Sequence, residues 1–135
     1  MKPTKHATTN YRMLKPFLDG LGDGTYRKYH SGEYMPLSVD FLYDSDDGCK
    51  VYAIAHYGEM NGDLMADPDM ELKVSHTAGT VEPLTFQNDY MHMFQQVYIN
   101  RNGQRLYSKR LRTDLDEFLW HWLQNIQDQG FAANI

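Results

Sequence analysis

Apolar residues recur at helical spacing near the end of the chain. Leu115, Phe118, Leu119, Trp122, Leu123 and Ile126 form one stripe, the pattern of a helix laid against a core. Thr113 is the expected N-cap, with Asp114, Asp116 and Glu117 in the first turn, where the helix dipole favours negative charge. Gly130 stands where a left-handed residue closes such a helix, and Phe131 where the accompanying hydrophobic contact is made. At about 100° per residue, Trp120 points roughly 130° from the centre of the stripe. Its ring is therefore expected at the surface, and that of Trp122 in the core.

A second amphipathic helix is expected near the start. Tyr11, Leu14, Phe17, Leu18 and Leu21 share one side, Thr8 or Thr9 is the expected cap, and the GLGDG run ends it. Pro16 predicts a kink or a new short helix, because an interior proline removes a backbone bond and clashes with the preceding turn.

Between the helices the period switches to two. Leu37, Val39, Phe41 and Tyr43 alternate, and Asp47-Gly48 marks a hairpin. A strand is expected over about 49–58, then a long acidic loop (59–71) around Asn61-Gly62 and Asp67-Pro68. Met70, Leu72 and Val74 alternate next. Further strands are expected over about 80–86, 91–99 and 104–107, the last after an Asn102-Gly103 turn. The pattern predicts a single α+β domain over residues 1–135. It is an antiparallel β-meander of five to six strands, with an N-terminal and a C-terminal helix packed on one face.

Composition changes little in this picture. A chain of 135 residues can bury one core without disulfides or metal staples. Cys49 is the only cysteine, which agrees with a reducing, cytoplasmic setting. No apolar run reaches the ~18 residues needed to span a bilayer, so no membrane role is expected. Charge, in contrast, is segregated. Residues 40–71 hold nine acids and one base, Lys50, whereas 90–113 hold no acid and five bases: Arg101, Arg105, Lys109, Arg110 and Arg112. Such segregation can steer a charged partner.

The chemistry-bearing patterns are sparse. Glu71 and Lys73, two apart on a strand, share a face. They match the carboxylate-x-lysine pair of metal-dependent nucleases, provided a second acid such as Asp40, Asp44, Asp63, Asp67 or Asp69 joins them. The spacing of Asp63, Asp67, Asp69 and Glu71 does not match an EF-hand. The six histidines form no HxH or HExxH pattern, and no strand is followed by a phosphate-binding glycine loop. No metal or cofactor is expected. Tyr90, Phe94, Tyr98 and Tyr107 share a segment with the five bases. Interleaved aromatics and bases suit single-stranded nucleic acid, but the same residue types anchor protein interfaces, and the net charge of −5 opposes a phosphate backbone.

The segments DPDMELKV, FQNDYMHMFQQVY and FLWHWLQNIQDQGF resemble an uncharacterised bacterial domain family often found on plasmids and conjugative elements. The resemblance covers about residues 60–131 and carries over no catalytic residue. It implies a bacterial accessory protein. The expected function is non-catalytic binding through a protein interface or self-association, using Trp120, Tyr90, Phe94 and Tyr98. The alternatives are nucleic-acid binding through Arg101, Arg105, Lys109, Arg110 and Arg112, and a metal-dependent hydrolase centred on Glu71 and Lys73.

Overall fold

A computed structural model describes residues 1–135. Helix α1 (Ala7–Leu18) leads into strands β1 (Tyr26–Tyr29), β2 (Leu37–Asp44), β3 (Lys50–Met60), β4 (Asp63–Ser75), β5 (Thr80–Pro83), β6 (Thr85–Asn88), β7 (Met93–Gln96), β8 (Tyr98–Arg101) and β9 (Gln104–Tyr107). Helix α2 (Lys109–Asp128) and a closing 3-10 turn, Phe131–Asn134, complete the chain. The main sheet is antiparallel in the order β1-β2-β3-β4-β6-β7, with β5 also on β4, and β8–β9 form a separate hairpin. The fold is α+β, as the alternating periods predict.

Both helices lie on one face of the sheet. Leu14, Phe17 and Leu18 of α1 and Leu115, Leu119, Trp122, Leu123 and Ile126 of α2 share a core with Val39, Ile54, Met70 and Leu72. Phe118, expected in the stripe, remains partly exposed and meets Phe86 edge-on. No helix is long and apolar enough to cross a membrane.

The sheet differs from expectation in instructive ways. The acidic loop expected over 59–71 is strand: β3 and β4 run on to a two-residue turn at Asn61-Gly62, both with positive φ (54° and 85°). That turn matches the twist of the flanking strands, and Gly62 adopts it without steric cost. Pro68 is accommodated because Asp67 and Pro68 fall where the β3–β4 register shifts by one residue; bulges tolerate a missing amide. The strand expected over 91–99 divides at Val97, and that over 80–86 at Leu84. Hydrogen bonds from Leu84 N to Glu71 O, Val97 N to Leu84 O and Ser108 N to Val97 O carry the pairing outward through these breaks. β1, with no apolar alternation, gave no sequence signal.

The helix boundaries also shift. α2 starts at Lys109 rather than after Thr113, because the Ser108 hydroxyl accepts from Leu111 N at 3.1 Å. Thr113 instead donates back to Lys109 O at 3.1 Å. α1 is one helix in which Pro16 occupies the last turn, where Pro16 and Arg12 are both exposed and water can serve the freed carbonyl. Thr8 and Thr9 lie inside it. Its start is held by a carboxylate from α2: Asp116, buried, accepts from His6 N at 3.0 Å and from the Thr4 hydroxyl at 2.6 Å. Gly130 adopts the left-handed conformation, and Phe131 is fully buried.

Candidate interaction surfaces

The sheet has a second face, directed away from the helices. Register places Ser38, Ala55 and Asp69 in one row, and Asp40, Ala53 and Glu71 in the next. Strand alternation turns all six outward, opposite to Val39, Ile54 and Met70. On this face the carboxylates of Asp40, Asp69 and Glu71 flank Ala53 and Ala55. The Tyr57 hydroxyl donates to Asp69 Oδ2 at 2.9 Å. Burial pushes the carboxyl of Asp69 above its ordinary range, and the charges of Asp40 and Asp89 add to this. Burial also raises Glu71, with Asp69 contributing, and raises Asp40. The Tyr57 hydroxyl is pushed up by burial first and by Asp69 second.

Glu71 and Lys73 do share this face, but they face different partners. Lys73 forms an ion pair with Asp47, and that contact holds the Asp47 carboxyl low. Glu71 lines a cleft with Tyr43, Thr85, Phe94 and Arg105. No three His, Cys, Asp or Glu side chains converge closely enough to hold a metal ion. Beyond Lys73, a cleft of about 490 Å³ runs past Cys49, Glu82, Tyr98 and Tyr107. Its charges are largely satisfied within the chain.

At the far end of β3 and β4 the surface turns apolar. Leu64 is 73 % exposed, Met91 62 % and Phe94 56 %, with Met60 and Tyr90 also exposed. The turn after β6 is tied to β4 by Asp89 N to Ala66 O at 2.9 Å and Ala66 N to Asp89 Oδ2 at 2.8 Å. Those bonds seat the Tyr90 ring on Gly58, where a Cβ would collide with the phenol. A depression of about 570 Å³ lined by Met65, Gln87, Asp89, His92, Met93 and Phe94 adjoins the patch. Two of the sequence candidates, Tyr90 and Phe94, therefore belong to one surface.

The other candidates lie elsewhere. The Tyr98 hydroxyl donates to Glu82, and its pKa is pushed up to about 12, by burial first and by Glu82 second. Arg105 lies over the Tyr98 ring at 4.4 Å. Arg112 is drawn into the body, with Nε 2.8 Å from Glu82 Oε1 and Nη2 2.9 Å from Lys2 O. Arg101, Lys109 and Arg110 remain exposed. Trp120 is half-buried beneath His6, with ring centroids 4.8 Å apart. His6 is held by Glu117 at 2.7 Å.

Sequence reasoning missed the grouping of Asp40 with Asp69 and Glu71 and the role of His76. The His76 ring bridges the hydroxyls of Tyr11 and Tyr52 at 2.9 and 3.0 Å. Alternation alone pairs Asp69 with Glu71 on one face; cross-strand register is needed to add Asp40.

The chain belongs to the family described as a domain of unknown function, DUF6908, whose model matches residues 9–132. No curated protein and no solved structure matches it.

Proposed function

We propose that this protein is a non-catalytic binding module that acts through a protein interface at the Met and aromatic patch. The observation that carries this reading is the exposure of the large apolar side chains of Leu64, Tyr90, Met91 and Phe94 at the end of the sheet that the Ala66–Asp89 bonds pin. Large exposed apolar patches mark interaction sites. Methionine adapts to varied partner shapes, while a rigid backbone limits the ordering cost of binding. The reading extends to a bacterial cytoplasmic accessory protein of a mobile element, supported by the sequence resemblance and the single free cysteine.

Two features weigh against the other readings. A nuclease centre needs Glu71, Lys73 and a further acid at one metal, but Lys73 is committed to Asp47. A nucleic-acid surface needs its bases free, but Arg112 is committed to Glu82.

Co-purification of the tagged protein from its source cells tests the interface. The wild type should recover a discrete partner, or a second copy of itself. Leu64→Asp and Phe94→Asp should lose it with thermal stability unchanged. Recovery of the same proteins by wild type and both variants would refute the patch.

A further inference from the structure

Two surfaces of this chain match each other in shape, apolarity and charge. The first is the depression of about 570 Å³ that holds Met65, Met93, Phe94 and Asp89. Its surroundings are acidic. Register sets Met65 opposite Gly58 and Leu64 opposite Glu59, with Asp63 at the start of the same strand. Residues 51–100 hold seven acids and a single base, Lys73, which is bound to Asp47. Asp89 accepts only from neutral donors, Ala66 N and Gln87 Nε2, so its charge is uncompensated.

The second surface is the β8–β9 hairpin, which forms a sheet of its own. Ile99 and Leu106 are cross-strand partners and share a face, 38 % and 40 % exposed. Arg101, two residues from Ile99, lies on that face too. The hairpin holds Arg101 and Arg105 and no acid. Neither Arg101 nor any of Glu59, Asp63 and Asp89 forms an ion pair within the chain. An apolar pair beside a base therefore answers an apolar depression beside acids, and the fold leaves both unused.

We infer that two copies of the chain associate about a twofold axis, with the β8–β9 hairpin of each seated on the depression of the other. Charge complementarity selects a second copy, because the acidic and basic halves of the interface are both present on one chain. Their placement allows closure. Phe94 lines the depression and Tyr98 opens the hairpin, four residues on, about 14 Å at most along an extended chain. A twofold axis between two such neighbouring surfaces satisfies both contacts at once and stops at the dimer.

The inference rests on the protein-interface reading and names its partner. Sedimentation velocity over a concentration series tests it. Wild type should converge on twice the chain mass and go no higher. Each copy carries a net charge of −5, so salt would strengthen an association without local complementarity by screening the repulsion. Here added salt should weaken it. Arg101→Glu should weaken the dimer at least tenfold, as should the double variant Glu59→Lys, Asp63→Lys, each melting as wild type does. Ile99→Asp should do the same through the apolar contact. An equimolar mixture of the Arg101 variant and the double variant should recover wild-type association, because both contacts of the mixed dimer again join opposite charges. A monomer at every concentration would overturn the inference. So would association strengthened by salt, association unchanged in these variants, or a mixture no tighter than its parts. If the chain is monomeric while Phe94→Asp still loses a partner from cells, the inference fails and the interface reading stands.

Discussion

His6 lies flat on Trp120, with ring planes 15° from parallel and centroids 4.8 Å apart. The N-terminal strap therefore covers a tryptophan that helical geometry alone turns toward solvent. The strap is fixed on either side of the ring, by Asp116 to Thr4 and the His6 amide, and by Glu117 to the imidazole. Trp120→Ala should cost about 1–2 kcal/mol, less than a fully buried aromatic. A double-mutant cycle with His6→Ala should return a coupling of roughly 0.5–1.5 kcal/mol. Urea unfolding of the four proteins measures both; a coupling near zero would mean that the stack contributes nothing.

Asp116 should matter more. It is buried in α2 and supplies the acceptor at the start of α1, which has no cap of its own. Asp116→Ala leaves the Thr4 hydroxyl and His6 amide without that acceptor and should lower stability by about 1.5–3 kcal/mol. Asp116→Asn keeps an acceptor oxygen and should cost less than half as much. Equilibrium denaturation distinguishes the two outcomes.

Arg112 and Arg101 should separate cleanly despite lying in one basic segment. Arg112 shares Glu82 with Tyr98, and both charges of the pair are largely shielded, so Arg112→Ala should destabilise by about 1–3 kcal/mol. Arg101 is exposed at the end of β8, and Arg101→Ala should change stability by less than about 0.5 kcal/mol. With Arg112 so engaged, a single-stranded oligonucleotide should give no shifted band in a mobility assay at low salt. A complex lost on reversing Arg110 and Arg101 to Glu would revive the nucleic-acid reading.

The pH dependence should be set by groups of opposite sense. Burial lowers the pKa of His56, which packs against Trp122 and Phe131, and of His76, held between two tyrosine hydroxyls. The unfolded chain then takes up protons near the ordinary histidine value of about 6.5 while the folded chain resists. Their stabilising contribution is complete above that value and declines as pH falls below it. Asp40, Asp69 and Glu71 act oppositely, because burial raises their folded pKa. Their charged forms weaken the fold at neutral pH, and protonation relieves this as pH falls through the raised values. His56→Gln should therefore flatten the loss of stability between about pH 7 and 5.5. Asp69→Asn should raise the melting temperature at pH 7 and lose that advantage near pH 4. Thermal melts across the series check both signs.

The helices were legible because each buries a stripe set by its own sequence. Leu115, Leu119, Trp122, Leu123 and Ile126 needed no information from elsewhere in the chain. The turns at Asp47-Gly48 and Asn102-Gly103 were legible because few residues tolerate positive φ. The length of β4 was not, because Asp67-Pro68 reads as a break unless the partner strand shows a shift in register. The start of α2 was missed because Ser108 and Thr113 are chemically equivalent as caps, and only the chain's path chooses between them. The grouping of Asp40 with Glu71 was missed because β3 lies between them, a relationship of register and not of sequence spacing. The exposed apolar end of the sheet was half visible, through Tyr90 and Phe94. The exposure of Leu64 and Met60 became evident only once the expected loop proved to be a hairpin.

The central claim is that the surface around Phe94 meets another protein, and site-specific photo-cross-linking tests it most directly. A benzophenone amino acid replaces Phe94 in one protein and the exposed Arg12 of α1 in another, and both are irradiated in the source cells. The account predicts one discrete higher-mass adduct from position 94, abolished by Leu64→Asp, and none from position 12. No adduct at position 94, or identical adducts at both positions, would contradict it.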